Sequence, residues 1–434
     1  MSYSPVKSIV LFFLGLIIAG MLLLSLPVSW GSGNFSFIAN LFTAVSAVCV
    51  TGLSVVDIGE YYSIFGQIII LLLVQFGGMG YMFISTVVTL LLGKMTLKDR
   101  RIMQDMFDVS SFSGLKRLLS KAVFFVLSIE LVGAVILIFI FLRNFSFLKS
   151  IYLGVFYSVT AFCNAGFSVF EDSLAQFADN PGLLYVMSIL ILLGGIGFFV
   201  IVDIYDTYKE KRLHFATHTK VVLSMSVAVS FFTFILLLFS DAVKGHGILY
   251  FINNIFFQAV SIRTAGFYSI PLNPLDEFTN TILIFLMSIG ASPGSTAGGV
   301  KVTTLVLVFV FVRSVLKGND EFVLFKKRIP FDLIKKALAI FIVFFALTTL
   351  FSAILVLLEG YLGALNIIFE VVSAFATVGL SLGITKDLSV AGKMLIIIAM
   401  IVGRIGILAL LIVMLNPIIK NKKIKYPEAK ILVG

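Results

Sequence analysis

The sequence of 434 residues is poor in charge, cysteine and histidine, and each shortage excludes a class of protein. Charged residues make up 12% of the chain, against about 25% in soluble domains, so the chain lacks the polar residues that a soluble surface needs. Two cysteines exclude a disulfide framework. Of the three histidines, His214 and His218 share a helical face, but no third metal ligand stands near them in the sequence.

Hydrophobic residues, by contrast, make up 60% of the chain, and the mean hydropathy is +1.12. About 20 apolar residues suffice for a helix to cross a bilayer. Eight apolar stretches predict eight transmembrane helices, near residues 8–26, 64–92, 122–142, 183–204, 221–239, 279–312, 337–358 and 394–415. Four shorter apolar pieces predict re-entrant helices, near residues 37–48, 151–162, 248–262 and 363–375.

Lysine and arginine predict the orientation of the chain in the membrane. With both termini in the cytoplasm, 24 of the 32 Lys and Arg residues fall on the cytoplasmic side, as the positive-inside rule requires. The opposite side is then mainly acidic, which would concentrate cations near a pore mouth. We therefore predict a multi-pass protein of the cell (plasma) membrane with both termini cytoplasmic.

The predicted elements repeat four times in one order, namely a span, a short helix, a glycine-containing loop and a second span. The repeats cover residues 6–117, 118–220, 221–330 and 331–434, the last with a cytoplasmic tail. The loops align on Gly52, Gly166, Gly266 and Gly379, with a phenylalanine ten residues before each, at Phe42, Phe156, Phe256 and Phe369. Glycine motifs follow in three of the second spans, GGMG at 77–80, GGIG at 194–197 and GRIG at 403–406.

This pattern predicts an all-α polytopic membrane protein. Four tandem span–pore helix–filter loop–span repeats, with eight transmembrane helices and four re-entrant pore helices, would surround one central pore. Non-helical backbone at membrane depth is tolerated where it lines a cavity. A short helix that ends there points its negative dipole end at the pore axis, and the next loop can present carbonyl oxygens to a cation. The alternative is that the glycines only cap the short helices.

The loops VTGLS, NAGFS, RTAGFY and TVGLS, together with GASPGSTAGGVK at 290–301, resemble the Trk/Ktr/HKT superfamily of potassium transporters. The resemblance covers essentially the whole chain. The sequence starts directly with the first repeat, and in this it resembles the KtrB-like membrane subunits of bacterial uptake systems. It implies channel-like potassium uptake driven by the membrane potential. The implied potassium ligands are backbone atoms of Val50, Thr51, Gly52, Asn164, Ala165, Gly166, Thr264, Ala265, Gly266, Thr377, Val378 and Gly379.

The resemblance also implies a gate, because the third inner helix of this superfamily is broken below the filter. In this chain the break would cover residues 290–300, where four glycines and Pro293 disfavour a helix. The implied gate residues are Gly290, Gly294, Ser295, Thr296, Gly298, Gly299, Lys301 and Arg404. For Lys301 two roles stay open, as a latch or as a residue that faces the inner mouth.

The implied assembly is a homodimer docked on a cytoplasmic KtrA-like nucleotide-binding ring, surrounded by membrane lipid and without nucleic acid. K⁺ is the transported ion, and no organic cofactor is implied for this chain. Some relatives depend on Na⁺ or couple to it by symport, and the residues of this sequence leave both modes open.

Charged residues inside membrane spans are functional candidates. We predict that Arg404 pairs with Glu370 of the fourth short helix. Arg263 would support the filter from behind through its backbone carbonyls, and Glu130 would be a buried, hydrogen-bonded carboxyl.

Two other functions were weighed against potassium uptake. A secondary transporter of a small solute would also have broken helices and repeats, although four repeats in one orientation favour a single axial pore. A membrane enzyme would need paired intramembrane aspartates or a Ser/His pair, and the sequence offers neither within its spans. We therefore predict a transporter and no enzyme.

Overall fold

The computed structural model describes residues 5–32, 35–92, 112–240, 247–271, 276–319 and 321–406. The predicted cytoplasmic tail and the basic segment at 94–101 lie outside the described residues. In chain order the helices are α1 (Pro5–Leu24), α2 (Phe37–Cys49), α3 (Ile58–Tyr61), α4 (Ile64–Leu92), α5 (Phe112–Phe141), α6 (Phe147–Phe162), α7 (Pro181–Ile196), α8 (Phe198–Lys209), α9 (Thr217–Leu237), α10 (Ile248–Ser261), α11 (Glu277–Ser288), α12 (Val302–Leu316), α13 (Phe331–Glu359), α14 (Ala364–Phe375) and α15 (Val390–Ile405). Strands β1 (Val323–Leu324) and β2 (Lys327–Arg328) pair antiparallel between α12 and α13.

Polar residues set where several helices begin. The Ser36 side chain accepts a hydrogen bond from Ala39 N at the start of α2, and Asn180 caps α7 ahead of Pro181. At the start of α11, the Asp276 carboxylate accepts from the hydroxyl and the backbone N–H of Thr279. These hydrogen bonds hold the pKa of the Asp276 carboxyl below its ordinary value.

The four short apolar pieces are helices α2, α6, α10 and α14, and each is followed by its glycine loop. Length and composition mark three longer helical segments of the described chain as able to cross a membrane: Ser120–Phe141 in α5, Thr217–Leu237, which is α9, and Phe331–Leu362, which is α13 with the turn after it. The bent pair α7–α8 makes a fourth if it is one span. The predicted count of eight spans is therefore not reached by this measure alone. Several predicted spans are interrupted, so eight transmembrane helices and four re-entrant helices remain a prediction.

Glycines interrupt the inner helices at more places than the sequence predicted. The sequence analysis placed a break only in the third repeat, at 290–300. The last glycine of each motif in the other repeats also has positive φ, at Gly80 (67°), Gly197 (84°) and Gly406 (93°). At Gly197 the two helices α7 and α8 are bent by 91°. Within the described residues, the first inner helix is therefore kinked at Gly80 and the second is bent at Gly197, and α15 of the fourth repeat ends just before Gly406.

The first glycine of three motifs lets an inner helix approach the end of a short helix. Gly77 faces the carbonyl oxygen of Val48, Gly194 that of Phe162, and Gly403 that of Phe375. A Cβ atom at these positions would lie 1.8–2.1 Å from the oxygen, which is far inside van der Waals contact. These glycines thus set the spacing between the inner helices and the loops that follow α2, α6 and α14.

This packing makes Gly194→Ala destabilising and leaves its neighbour Gly195→Ala harmless. At Gly194 the added methyl would lie 1.8 Å from the Phe162 oxygen, whereas at Gly195 the nearest atom is Ala291 Cβ at 3.6 Å. Overpacking typically costs about 1–3 kcal/mol. We therefore expect a lower thermal-unfolding midpoint in detergent for Gly194→Ala alone, and equal midpoints for the two variants would contradict the close packing.

Candidate functional site

The four glycine loops share positive φ at two matching positions, and we name them loop 1 (50–54), loop 2 (164–168), loop 3 (264–268) and loop 4 (377–381). The residue two positions before each glycine is left-handed: Val50 (φ 57°), Asn164 (56°), Thr264 (99°) and Thr377 (49°). The glycines themselves also have positive φ: Gly52 (92°), Gly166 (66°), Gly266 (74°) and Gly379 (90°). Glycine takes this conformation without steric cost, which explains its place in every loop.

The structure brings the four loops together in a closed ring. In each loop the carbonyl of the residue before the glycine faces the glycine of the preceding loop: Ala165 O faces Gly52, Ala265 O faces Gly166, Val378 O faces Gly266, and Thr51 O faces Gly379. A Cβ atom at any of these glycines would lie 2.0–3.0 Å from the facing oxygen. Loops 1 and 3 are therefore diagonal to each other, as are loops 2 and 4.

The loops are tied to the ends of their short helices by backbone hydrogen bonds. The N–H of the residue before the glycine donates to Ser46 O in loop 1, Thr160 O in loop 2 and Ser373 O in loop 4, each at 2.8 Å and six residues before the glycine. In loop 3 the bond goes to Ser261, only five residues before its glycine.

The third repeat is therefore shorter by one residue between helix and glycine. The sequence alignment matched Phe256 to Phe42, Phe156 and Phe369, which are fully buried. In the structure Phe257 is the fully buried phenylalanine of α10, so the alignment was wrong by one residue on that helix.

Within the described chain, three of the four loops carry a buried polar atom without a hydrogen-bond partner. The buried hydroxyls of Thr51, Thr264 and Thr377 have no hydrogen-bond partner among the described residues. The short helices direct their C-terminal ends, which carry partial negative charge, toward the same loops. Carbonyls, unpaired hydroxyls and helix ends together suit a desolvated cation better than an anion or an apolar ligand.

A cavity of about 320 Å³ opens directly above the ring. All four loop glycines line it, together with the carboxylates of Asp57, Glu171 and Asp172 and one lysine, Lys386. Burial raises the pKa of the Tyr268 phenol in this cavity above its ordinary value, and the three carboxylates raise it further. The cavity, which we call the mouth cavity, is therefore electrostatically negative.

Residues 290–300 form a compact loop, which we call the inner loop, and join α11 to α12. Gly290 N donates to Val300 O (2.9 Å) and Val302 N to Ala291 O (3.1 Å), so the two ends of the loop are held together. Gly299 packs on Gly290, and Ser295 donates its hydroxyl and N–H to Ser292 O. The predicted break in the third inner helix is thus present.

The inner loop lies against the ring and against the bent second inner helix. The Thr296 hydroxyl lies 3.0 Å from the Asn164 amide and donates to Phe162 O (3.2 Å). A Cβ atom at Gly298 would lie 2.2 Å from the Thr377 hydroxyl. Phe198 N at the start of α8 donates to Gly294 O (3.2 Å). The loop therefore contacts loops 2 and 4 from the side opposite the mouth cavity.

Arg404 does not pair with Glu370, and that prediction was wrong. Its guanidinium donates to the carbonyl oxygens of Gly77 (2.5 Å) and Gly78 (2.9 Å) on α4, and to that of Thr296 in the inner loop. The guanidinium group has five N–H donors, and several carbonyl oxygens around it can accept their hydrogen bonds in place of a carboxylate. Arg404 thus joins the first inner helix, the fourth inner helix and the inner loop.

Glu370 has other partners. Its carboxyl accepts hydrogen bonds from the hydroxyls of Ser381 (2.8 Å) and Thr385. Glu370 is fully buried on α14, so it lies behind loop 4 and faces the rim of the mouth cavity.

Two further charged residues were assigned from sequence. Arg263 was predicted to support the filter through its carbonyls, but its guanidinium donates to Ser226 O (3.1 Å), Ser226 Oγ and Ser230 Oγ on α9. It therefore anchors the end of α10 to an outer helix. Lys301 donates to Ala297 O within the inner loop, a contact that fits a latch.

Glu130 is buried and hydrogen-bonded, as predicted, and its partner is Gln75. The Gln75 amide donates to the Glu130 carboxyl at 2.9 Å, and the Cys163 thiol lies 3.6 Å from Gln75 Oε1 and 3.9 Å from Glu130 Oε1. Sequence reasoning missed Gln75 and Cys163, since neither residue stands near Glu130 in the chain. The cluster lies next to Asn164 of loop 2.

Four loops arranged in a ring beneath an acidic cavity, on interrupted apolar helices, are typical of membrane proteins that transport cations. The family model described as TrkH, cation transport protein, matches residues 9–421. The chain therefore belongs to the TrkH family of cation transport proteins, and the resemblance seen in the sequence is confirmed.

Similar proteins cover nearly the whole chain. The Ktr system potassium uptake protein B of Bacillus subtilis is 36% identical over 100% of this chain and 97% of its own. The potassium/sodium uptake protein NtpJ of Enterococcus hirae is 36% identical over 99% of this chain and 97% of its own. The crystal structure of the potassium transporter TrkH from Vibrio parahaemolyticus shares the fold, with a TM-score of 0.74 at 19% identity, over 95% of this chain and 85% of that one.

Proposed function

We propose that this protein takes up potassium ions across the cell membrane through the ring of four loops, which acts as a selectivity filter. The observation that carries the proposal is the closed ring, in which the carbonyl before each glycine faces the glycine of the neighbouring loop. Two relatives that cover the whole chain are named as potassium uptake proteins. The driving force would be the membrane potential, which supplies about 2.3 kcal/mol per charge at 100 mV.

The filter would bind the ion with backbone carbonyls that replace its water. The ligands are drawn from the twelve loop residues named in the sequence analysis, with glycine at the narrowest point of every loop. The unpaired hydroxyls of Thr51, Thr264 and Thr377 add further oxygen atoms. The mouth cavity would face the outside, where its carboxylates attract cations, and both chain termini would then lie in the cytoplasm.

The inner loop would be the gate. Its contacts with loops 2 and 4 support this role, since Thr296 lies against Asn164 and Gly298 against Thr377. Arg404 would hold the loop in this position by binding Thr296 O and the α4 carbonyls at once. An ion could then pass only after the loop had moved, which requires these hydrogen bonds to break.

Control of the gate would come from the cytoplasm. We propose a homodimer bound to a KtrA-like nucleotide-binding ring, as the Ktr system named in the relatives suggests. Helix α8 begins at the inner loop and ends in a polar cluster with Lys121, Asp203 and Asp206, so a subunit bound there could move the loop. Sodium dependence is part of the proposal, because one relative is named a potassium/sodium uptake protein.

Ion flux in proteoliposomes tests the proposed function. With an inside-negative potential imposed by an ion gradient, we expect K⁺ to enter faster than Na⁺ through the wild-type protein, and empty liposomes serve as control. Repeating the K⁺ assay with and without external Na⁺ tests the sodium dependence. Transport of a neutral or organic solute without cation flux would refute potassium uptake and favour a secondary transporter.

A further inference from the structure

Loops 2 and 4 are supported differently from loops 1 and 3, although all four have positive φ at the same two positions. We infer that Tyr157 and Glu370 are positioning residues, which hold the outer rim of this diagonal pair of loops from behind and so determine the cation selectivity of the ring. The inference rests on the proposed filter. It assigns selectivity to two side chains that do not line the ring themselves.

Tyr157 and Glu370 occupy the same position in their repeats. Each stands nine residues before its glycine on a short helix, and each bonds to the serine two residues after that glycine. The Tyr157 hydroxyl lies 2.7 Å from Ser168 Oγ, and Ser381 Oγ donates to Glu370 Oε2 at 2.8 Å. A phenol and a carboxyl are chemically unlike, so the shared partner indicates that the contact itself is the common feature.

Both contacts extend along the rim of the mouth cavity. Val169 N also donates to the Tyr157 hydroxyl (3.3 Å), and Thr385 also donates to Glu370. Ser168, Ser381 and Thr385 line the mouth cavity, while Tyr157 and Glu370 are fully buried behind it. A buried partner with fixed geometry limits how far these loops can widen or narrow, because buried polar groups are costly to leave unpaired.

Loops 1 and 3 have a different arrangement at the same positions. In loop 1 the helix position is Thr43, whose hydroxyl does not bond to the corresponding serine, Ser54. Ser54 has only the local bond to Val56 O (2.6 Å), which Ser168 also makes to Phe170 O (3.0 Å), so the contact from the helix is what loop 1 lacks. In loop 3 the shorter connection makes Gln258 the matching helix residue. Its amide is buried, and its oxygen and nitrogen have no hydrogen-bond partner in the described part of the chain.

The inner loop reaches the same diagonal pair. Thr296 lies on Asn164 of loop 2, and Gly298 lies against Thr377 of loop 4. Loops 2 and 4 are therefore held on both sides of the ring, at the rim by helix side chains and below by the inner loop. A ring that cannot contract around the smaller Na⁺ selects against this ion. The positions of the two held loops therefore limit how far the ring of ligands can contract.

The test compares two substitutions that each delete one hydroxyl at matching positions, Tyr157→Phe and Thr43→Val. In proteoliposomes we expect Tyr157→Phe to lower the K⁺/Na⁺ permeability ratio about fivefold, which corresponds to about 1 kcal/mol at 1.4 kcal/mol per factor of ten. Thr43→Val should keep the wild-type ratio. Ser168→Ala should lower the ratio at least as much as Tyr157→Phe, because it removes the shared contact and also the bonds of its hydroxyl to Phe170 and Ser173. The double variant should be no worse than Ser168→Ala alone.

Glu370→Gln gives a second, independent measurement, and Thr43→Val on α2, outside the ring and outside the held pair, again serves as its control. The thermal midpoint of every variant is measured, so that a changed ratio in a fully folded protein is separated from misfolding. If the wild type selects K⁺ while Tyr157→Phe and Glu370→Gln both retain its ratio, the inference is wrong and the filter stands. If the wild type has no selective cation flux, the proposed function and the inference fail together.

Discussion

Replacing Arg404 with glutamine should raise potassium flux about tenfold in the absence of any regulatory subunit. The guanidinium binds Gly77 O, Gly78 O and Thr296 O, and so ties the inner loop to α4. A hydrogen bond to a charged group contributes about 1.5–3 kcal/mol, and 1.4 kcal/mol is a factor of ten in an equilibrium. Glutamine is shorter and has fewer donors, so it cannot bridge the two elements, and the closed position of the loop loses stability.

Flux of K⁺ into proteoliposomes measures this effect, with Arg143→Gln as the matched control. Arg143 carries the same charge but is exposed at the end of α5, so its loss should leave the flux unchanged. Arg404→Lys should give an intermediate flux. The lysine ammonium retains the charge, but it lacks the planar guanidinium group that bonds to α4 and to the inner loop at the same time. A fully folded Arg404→Gln protein with wild-type or lower flux would show that Arg404 does not hold the gate shut.

The Arg404 contacts also illustrate what the sequence can and cannot predict. An arginine in an apolar span signals a buried partner, and the search for one naturally turned to the carboxylate of Glu370. The actual partners are backbone carbonyls, and a carbonyl has no signature in a sequence because every residue carries one. The position of the charge was therefore predictable, but its partner was not.

The short helices and their loops were predictable, because short apolar stretches indicate the helices and the recurring glycines indicate the loops. The predicted piece at 363–375 is helix Ala364–Phe375, and the other three agree within one residue at their C-terminal ends. The kink at Gly80 and the bend at Gly197 were missed, since a single glycine inside an apolar run does not lower hydropathy and is common in membrane helices. Each of these glycines is the last residue of its glycine motif, and this shared position could have indicated an interruption of the helix.

The one-residue shift in the third repeat has a similar origin. Aligning the loops on glycine assumes equal spacing to the helix, but Ala265 N bonds to Ser261, one residue closer than in the other repeats. Either Phe256 or Phe257 satisfies the apolar pattern, so the sequence alone does not choose between them. The shift matters for function, because it brings Gln258 rather than a phenylalanine to the position of Tyr157 and Glu370.

Gly379→Ala should abolish the preference for K⁺ over Na⁺, which is the largest effect expected at the ring. The added Cβ atom would lie 2.0 Å from Thr51 O and 3.1 Å from the Gly52 Cα atom, so loops 1 and 4 must separate. The Thr51 carbonyl then leaves its place in the ring, and a cation loses a ligand that only a fixed geometry supplies. Loss of 1.4 kcal/mol of discrimination would already lower the K⁺/Na⁺ ratio tenfold.

Gly363→Ala is the control that separates backbone strain from the loss of the ring geometry as the cause of lost K⁺ selectivity. Gly363 stands in the same repeat and has nearly the same φ, 87° against 90° for Gly379. A methyl group added there would have no atom closer than Asn366 Nδ2, at 3.6 Å. Left-handed backbone costs about 1–2 kcal/mol for a residue with a Cβ atom, so both variants share this penalty. We expect Gly363→Ala to be less stable but still selective, whereas equal loss of selectivity in both variants would reduce the ring glycines to helix caps.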